Sequence, residues 1–95
     1  MAGKVAGAIQ SIDSSGNLIT DITSEMLAAA PRDESVVVRC DEHETMGLFD
    51  TVEGQPEMTL VAVFGEGGKL QITIVGDSAA MMLGVRVGEK VTVKW

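Results

Sequence analysis

Turn-forming residues recur along the whole chain and leave little room between them. Gly16-Asn17, Pro31-Arg32-Asp33, Asp41 to Glu44, Glu53-Gly54-Gln55-Pro56, Gly65 to Gly68, Gly76-Asp77 and Gly88-Glu89 cut it into short segments. Most of these have strand length and β-branched content. The clearest are Glu34 to Cys40, Met58 to Phe64, Leu70 to Val75 and Lys90 to Trp95. In the last, Val91 and Val93 alternate with Thr92 and Lys94, the period of two that turns one face to a core and the other to water. The Gly-rich stretch GEGGK joins Met58–Phe64 to Leu70–Val75, and a loop that short pairs its flanking strands antiparallel.

Two segments read instead as short helices. Thr23 to Ala30 opens on a capping hydroxyl, carries Glu25 in its first turn and stops before Pro31. Ser78 to Leu83 follows Asp77 or Ser78 as N-cap and ends at Gly84. The expected fold is therefore mainly β: one domain over residues 1–95, with about seven antiparallel strands and two short helices. Closure into a small closed or nearly closed barrel removes the exposed edges.

Composition narrows the function. Phe49, Phe64 and Trp95 are the only aromatic residues, so the core is aliphatic and base-stacking platforms have almost nothing to be built from. Fourteen acidic against seven basic residues give a formal charge of −7, which repels nucleic acid and anionic membrane. No apolar run approaches the roughly 20 residues of a spanning helix, and the start MAGKVAGAI lacks a signal peptide's cationic region and long apolar centre. A cytoplasmic protein is expected, and the single Cys40 agrees with a reducing compartment.

Several clusters invite a chemical reading. Cys40-Asp41-Glu42-His43-Glu44 places a thiol and an imidazole two residues apart, half of a zinc pattern, but there is no second Cys or His to complete it. The expectation is a buried Cys40 ending a strand and a solvated charged turn, with no metal bound. No group is placed by sequence to orient His43 for nucleophilic catalysis, and no carboxylate pair stands out, so no catalytic residue is assigned. Gly65-Glu66-Gly67-Gly68-Lys69 lacks the hydroxyl and helix of a phosphate loop and reads as a hairpin turn. Met58, Met81 and Met82 read as core fillers, or as an adaptable docking surface. Gly76-Asp77-Ser78 joins a strand to a capped helix. At Ser11 to Ile22 a run of turn formers, Asp13 to Asn17, separates two apolar stretches; it is either a plain hairpin or a binding loop.

Two of these stretches together resemble one family. GAIQSIDSSGNLITDI, Gly7 to Ile22, is similar to the start of the C-terminal β-barrel domain of S-adenosyl-L-methionine hydroxide adenosyltransferases and their halogenase relatives, and Val61 to Val93 is similar to its end. The resemblance implies a chain that is the second domain alone, without the N-terminal domain whose Asp handles the ribose of S-adenosylmethionine. It also implies ligand contacts from Gly16 and Asn17 and from Gly76, Asp77 and Ser78. Three departures weaken that ligand site. Ser15 stands where the family has an aromatic residue, Val75 where it has an adenine-reading Asn, and Asp21 where it has a neutral Asn.

The expected protein is thus non-enzymatic, binds no cofactor and acts through protein contacts. The resemblance points to a homo-oligomer, with the trimer as the family's form. The alternative is a module that binds S-adenosylmethionine or adenosine, or the C-terminal half of an adenosyltransferase completed by a separate catalytic chain.

Overall fold

The computed structural model describes residues 3–31 and 35–95, with Glu66 described by its backbone alone. The turn expected at Arg32-Asp33 and the first residue of the strand expected from Glu34 lie outside the described residues. Seven strands form among the described residues: β1 (Lys4–Ile12), β2 (Leu18–Thr23), β3 (Val37–Cys40), β4 (His43–Met46), β5 (Leu60–Phe64), β6 (Lys69–Ile74) and β7 (Lys90–Lys94). A helix, α1 (Ala79–Leu83), and a 3₁₀ turn at Glu66–Gly68 complete their regular structure.

The strands run in the order β4-β3-β7-β1-β2-β6-β5, and every pairing is antiparallel. β1 is the strand common to both halves. Lys4 to Ala8 pair with β7, and Ile9 to Ile12 pair with β2 across a bulge at Gln10. The two edge strands, β4 and β5, are brought together by two devices. The Thr45 hydroxyl donates to the Leu60 carbonyl at 2.7 Å. Phe49 lies parallel to Val63, donating to the Ala62 carbonyl and accepting from the Phe64 N–H, both at 3.0 Å. The result is the nearly closed barrel that edge protection calls for.

A corner in β2 gives the barrel its second bend. Thr20, Asp21 and Ile22 face the single residue Leu70 of β6, so the backbone ladder is interrupted there. Side chains take its place. The buried Thr20 hydroxyl donates to the Leu70 carbonyl at 2.7 Å and accepts from the Ile22 N–H at 3.2 Å, while Asp21 Oδ1 accepts from the Ala8 N–H of β1 at 3.0 Å.

Ile9, Leu18, Ile22, Val38, Leu70, Ile72, Val91 and Val93 fill the interior. Each such aliphatic side chain contributes about 1.5–3 kcal/mol by leaving water. Val91 and Val93 are buried while Lys90 and Lys94 are exposed, as the alternation in β7 predicts.

Of the two helical segments expected, Ser78–Leu83 forms. Ser78 Oγ accepts from the Met81 N–H at 3.2 Å, and the Gly84 N–H closes the end on the Ala80 carbonyl. Residues 24–29 are instead a succession of turns, with Leu27, Ala28 and Ala30 each donating to the carbonyl three residues back. Thr23 caps it as expected, accepting from the Met26 N–H. The stretch is too short to nucleate a helix by itself, and burial of Leu27 and Ala30 sets its path. The turn expected over Asp41–Glu44 is also tighter. Asp41-Glu42 alone makes it, with Asp41 at φ 56°, and His43 and Glu44 already belong to β4.

Candidate functional site

The run Asp13 to Asn17 is a loop folded around one carboxylate. Asp13 Oδ1 accepts from the backbone N–H groups of Ser15 and Asn17, each at 2.9 Å, and Oδ2 accepts from Asn17 Nδ2 at 3.0 Å. Partial burial pushes the Asp13 carboxyl up, but the bonds from Asn17, Ser15 and Gly16 together outweigh it and hold it below its ordinary value of 3.8.

The loop is then tied to distant elements. Thr73 of β6 donates its hydroxyl to Asn17 Oδ1 at 2.5 Å, and the Ala80 N–H of α1 donates to the Gly16 carbonyl at 2.9 Å. Gly16 sits at φ 85°, and a Cβ there would collide with Ser78 Oγ. Glycine is therefore required for conformation and for space.

These contacts bring the sequence candidates into one place. Asn17, Gly76, Asp77 and Ser78 line a groove of about 410 Å³ together with Ser15, Val52, Thr73, Ile74 and Val75, and Gly16 lies directly behind Ser78. Asp77 Oδ1 accepts from the Ser78 N–H at 2.7 Å. Asn17, which the resemblance offers as a ligand contact, has both ends of its amide engaged inside the protein. Among the described residues no buried side-chain oxygen or nitrogen lacks a partner.

Sequence reasoning overlooks Asp13, Val52, Thr73 and Ile74 at this site. Asp13 is recoverable, because an Asp opening a turn with Asn four residues on can bond the loop's own backbone. Thr73 and Val52 carry no local signal, since only the fold brings them to the loop.

The other candidate cluster is arranged differently. Cys40 and His43 are register partners across the β3–β4 hairpin. Cys40 is buried, and burial, then the Glu89 and Asp41 carboxylates, push its thiol up to about 11. At neutral pH such a thiol is protonated, and among the described residues no group of three metal-ligating side chains forms. GEGGK is a hairpin connection, its Lys69 reaching Gln10 Oε1 at 2.6 Å.

A family model described as the SAM hydroxide adenosyltransferase C-terminal domain matches residues 7–92. The chain belongs to this family. Among solved structures it is similar to an uncharacterized conserved protein from Thermotoga maritima, with a TM-score of 0.80 at 24% identity over 95% of this chain and 35% of that one. It is also similar to a conserved hypothetical protein from Thermus thermophilus, with a TM-score of 0.74 at 27% identity over 93% of this chain and 34% of that one. No curated protein matches it. The chain thus spans about a third of the length of these two structures.

Within the family's pattern, Ser15 and Val75 both line the groove, where one offers no ring and the other no hydrogen-bonding side chain. Asp21, by contrast, is part of the β2 corner, its Oδ1 held by the Ala8 N–H. No described helix is long and apolar enough to cross a membrane.

Proposed function

We propose that this adenosyltransferase-type barrel works through protein contacts and not through chemistry, with self-association as its simplest form. One observation carries the reading. At the groove, Asp13, Asn17, Thr73 and Ser78 are hydrogen-bonded to one another or to nearby backbone, whereas Val52 of its lining is exposed, as are Met58, Met81 and Met82, whose backbone N–H groups bond Val75 or Ser78 of that lining, Met81 to 84%. Groups that would read a polar ligand are engaged, and adaptable apolar side chains are on offer. Methionines in that setting suit a macromolecular surface.

The molecular mass in solution, measured across concentrations with and without S-adenosylmethionine, tests this. The expected result is an oligomer whose mass the ligand leaves unchanged. A monomer at every concentration would overturn self-association.

The convergence of Asn17, Gly76, Asp77 and Ser78 on one groove of about 410 Å³ favours a second reading, a module for an adenosine-type ligand or half of a split adenosyltransferase, since that volume is in the range of small-molecule sites. Titration calorimetry with S-adenosylmethionine and adenosine separates the two. Absence of heat and of thermal stabilisation at millimolar ligand removes the second.

A further inference from the structure

The charge of −7 is unevenly spread. Of the seven Lys and Arg, Arg32 lies outside the described residues. Four of the other six, Lys4, Arg39, Lys90 and Lys94, stand on the outer face of the sheet formed by β1, β7 and β3, where all four are exposed. Arg39 has Glu44 opposite it on β4. Lys4 and Lys94, however, are direct register partners, an arrangement of like charge that costs stability. The same cross-strand row continues through the half-buried Val37 to Met46, which is 63% exposed. It is a basic row with an apolar end.

The groove edge has the opposite character. Among the described residues no cation lines the groove, whose one charged lining residue is Asp77. Beside it stand the exposed Glu53 and Glu57, the latter with its side chain against Gly76, and the exposed Val52, Met58 and Met81. Lys4 and Lys94 stand at the start of β1, whereas Ser15 and Asn17, which follow its end, line the groove. Two copies meeting by the same surface would set like charge against like.

We propose that the Lys4–Lys94–Met46 row of one copy docks on the Glu53–Glu57–Asp77 edge of the next, a head-to-tail contact between copies of this chain. Lysines meet carboxylates and Met46 meets Val52, Met58 and Met81. Such a contact uses two different surfaces, so repetition closes a ring when the rotation allows it. The inference rests on the protein-contact reading above and specifies its surfaces.

A charge swap tests it. K4E/K94E and E53K/E57K change only exposed positions, and circular dichroism and thermal melts identical to wild type establish that both variants fold. Wild type is expected to be an oligomer whose apparent dissociation constant rises at least tenfold between 50 mM and 500 mM salt. Each variant alone is expected to be monomeric, because its two surfaces then carry the same sign, and an equimolar mixture is expected to recover association. Wild type that is oligomeric with both variants keeping its mass, or variants that dissociate with no recovery on mixing, overturns the head-to-tail contact and leaves the protein-contact reading standing. Wild type that is monomeric throughout overturns this contact and self-association alike.

Discussion

The Asp13–Asn17 loop and the Cys40–Glu44 hairpin are both tight connections between paired strands, yet they are anchored in different ways. The first draws its partners from far along the chain, Thr73 on β6 and Ala80 on α1. The second is closed by its own strands, which pair from Cys40–His43 to Val37–Met46, and its thiol is buried in the core. A turn becomes part of a site when side chains from other elements converge on it, and the number of polar residues in the turn itself decides little.

That contrast can be broken most severely at Gly16. Replacing it with Ala puts a methyl group against Ser78 Oγ and into a backbone conformation at φ 85°, so a loss of about 3 kcal/mol is expected in urea unfolding. The control is Gly67→Ala, at φ 73° with nothing within 4 Å, which should lose only about 1 kcal/mol. Equal losses at the two positions would show that the loop does not press on α1.

A smaller effect is expected at Asn17. Asn17→Ala leaves Asp13 and Thr73 short of a partner and should cost about 1–3 kcal/mol, whereas His43→Ala in the hairpin should stay within about 0.5 kcal/mol. Chemical denaturation of the two variants side by side sharpens the comparison, and a larger loss at His43 would reverse it.

The two pH limbs differ in sign. The Asp13 carboxyl titrates below its ordinary 3.8 in the folded protein. Its contribution is therefore complete above that value and is lost as pH falls through the lower folded value. The Cys40 thiol is raised from 9.0 to about 11, so its contribution is complete below pH 9.0 and is lost as pH rises toward 11. Denaturation midpoints followed in both directions should show Asp13→Asn flattening the acid limb alone and Cys40→Ala the alkaline limb alone.

Most of the strands are legible in the sequence because turn residues and β-branched runs act locally. Leu60–Phe64, Lys69–Ile74 and Lys90–Lys94 each lie within a residue or two of the segments that Gly, Pro and Asp mark out. The stretch from Thr23 to Ala30 reads as helix because capping and propensity are local signals, whereas the burial of Leu27 is imposed by the barrel. The candidate groove is half legible for the same reason. Asn17 and Ser78 announce a turn and a cap in the sequence, but the bond from Thr73 to Asn17 crosses 56 positions. Asp21 reads as an unfavourable charge in a ligand site, and the β2 corner gives its carboxylate an internal partner instead.

The position of β1 between β7 and β2 also bears on how the chain reaches this state. β1 with β2, and β5 with β6, are neighbouring hairpins that close short loops, whereas Lys4 meets Lys94 only after nearly the whole chain has been gathered in, the pairing with the largest entropic cost. That seam continues to Gly3 and Trp95, which exchange backbone hydrogen bonds at 2.7 and 3.0 Å. The only tryptophan therefore stands at the pairing that loop-closure entropy delays most, and its fluorescence would time the end of folding separately from the collapse of the aliphatic core.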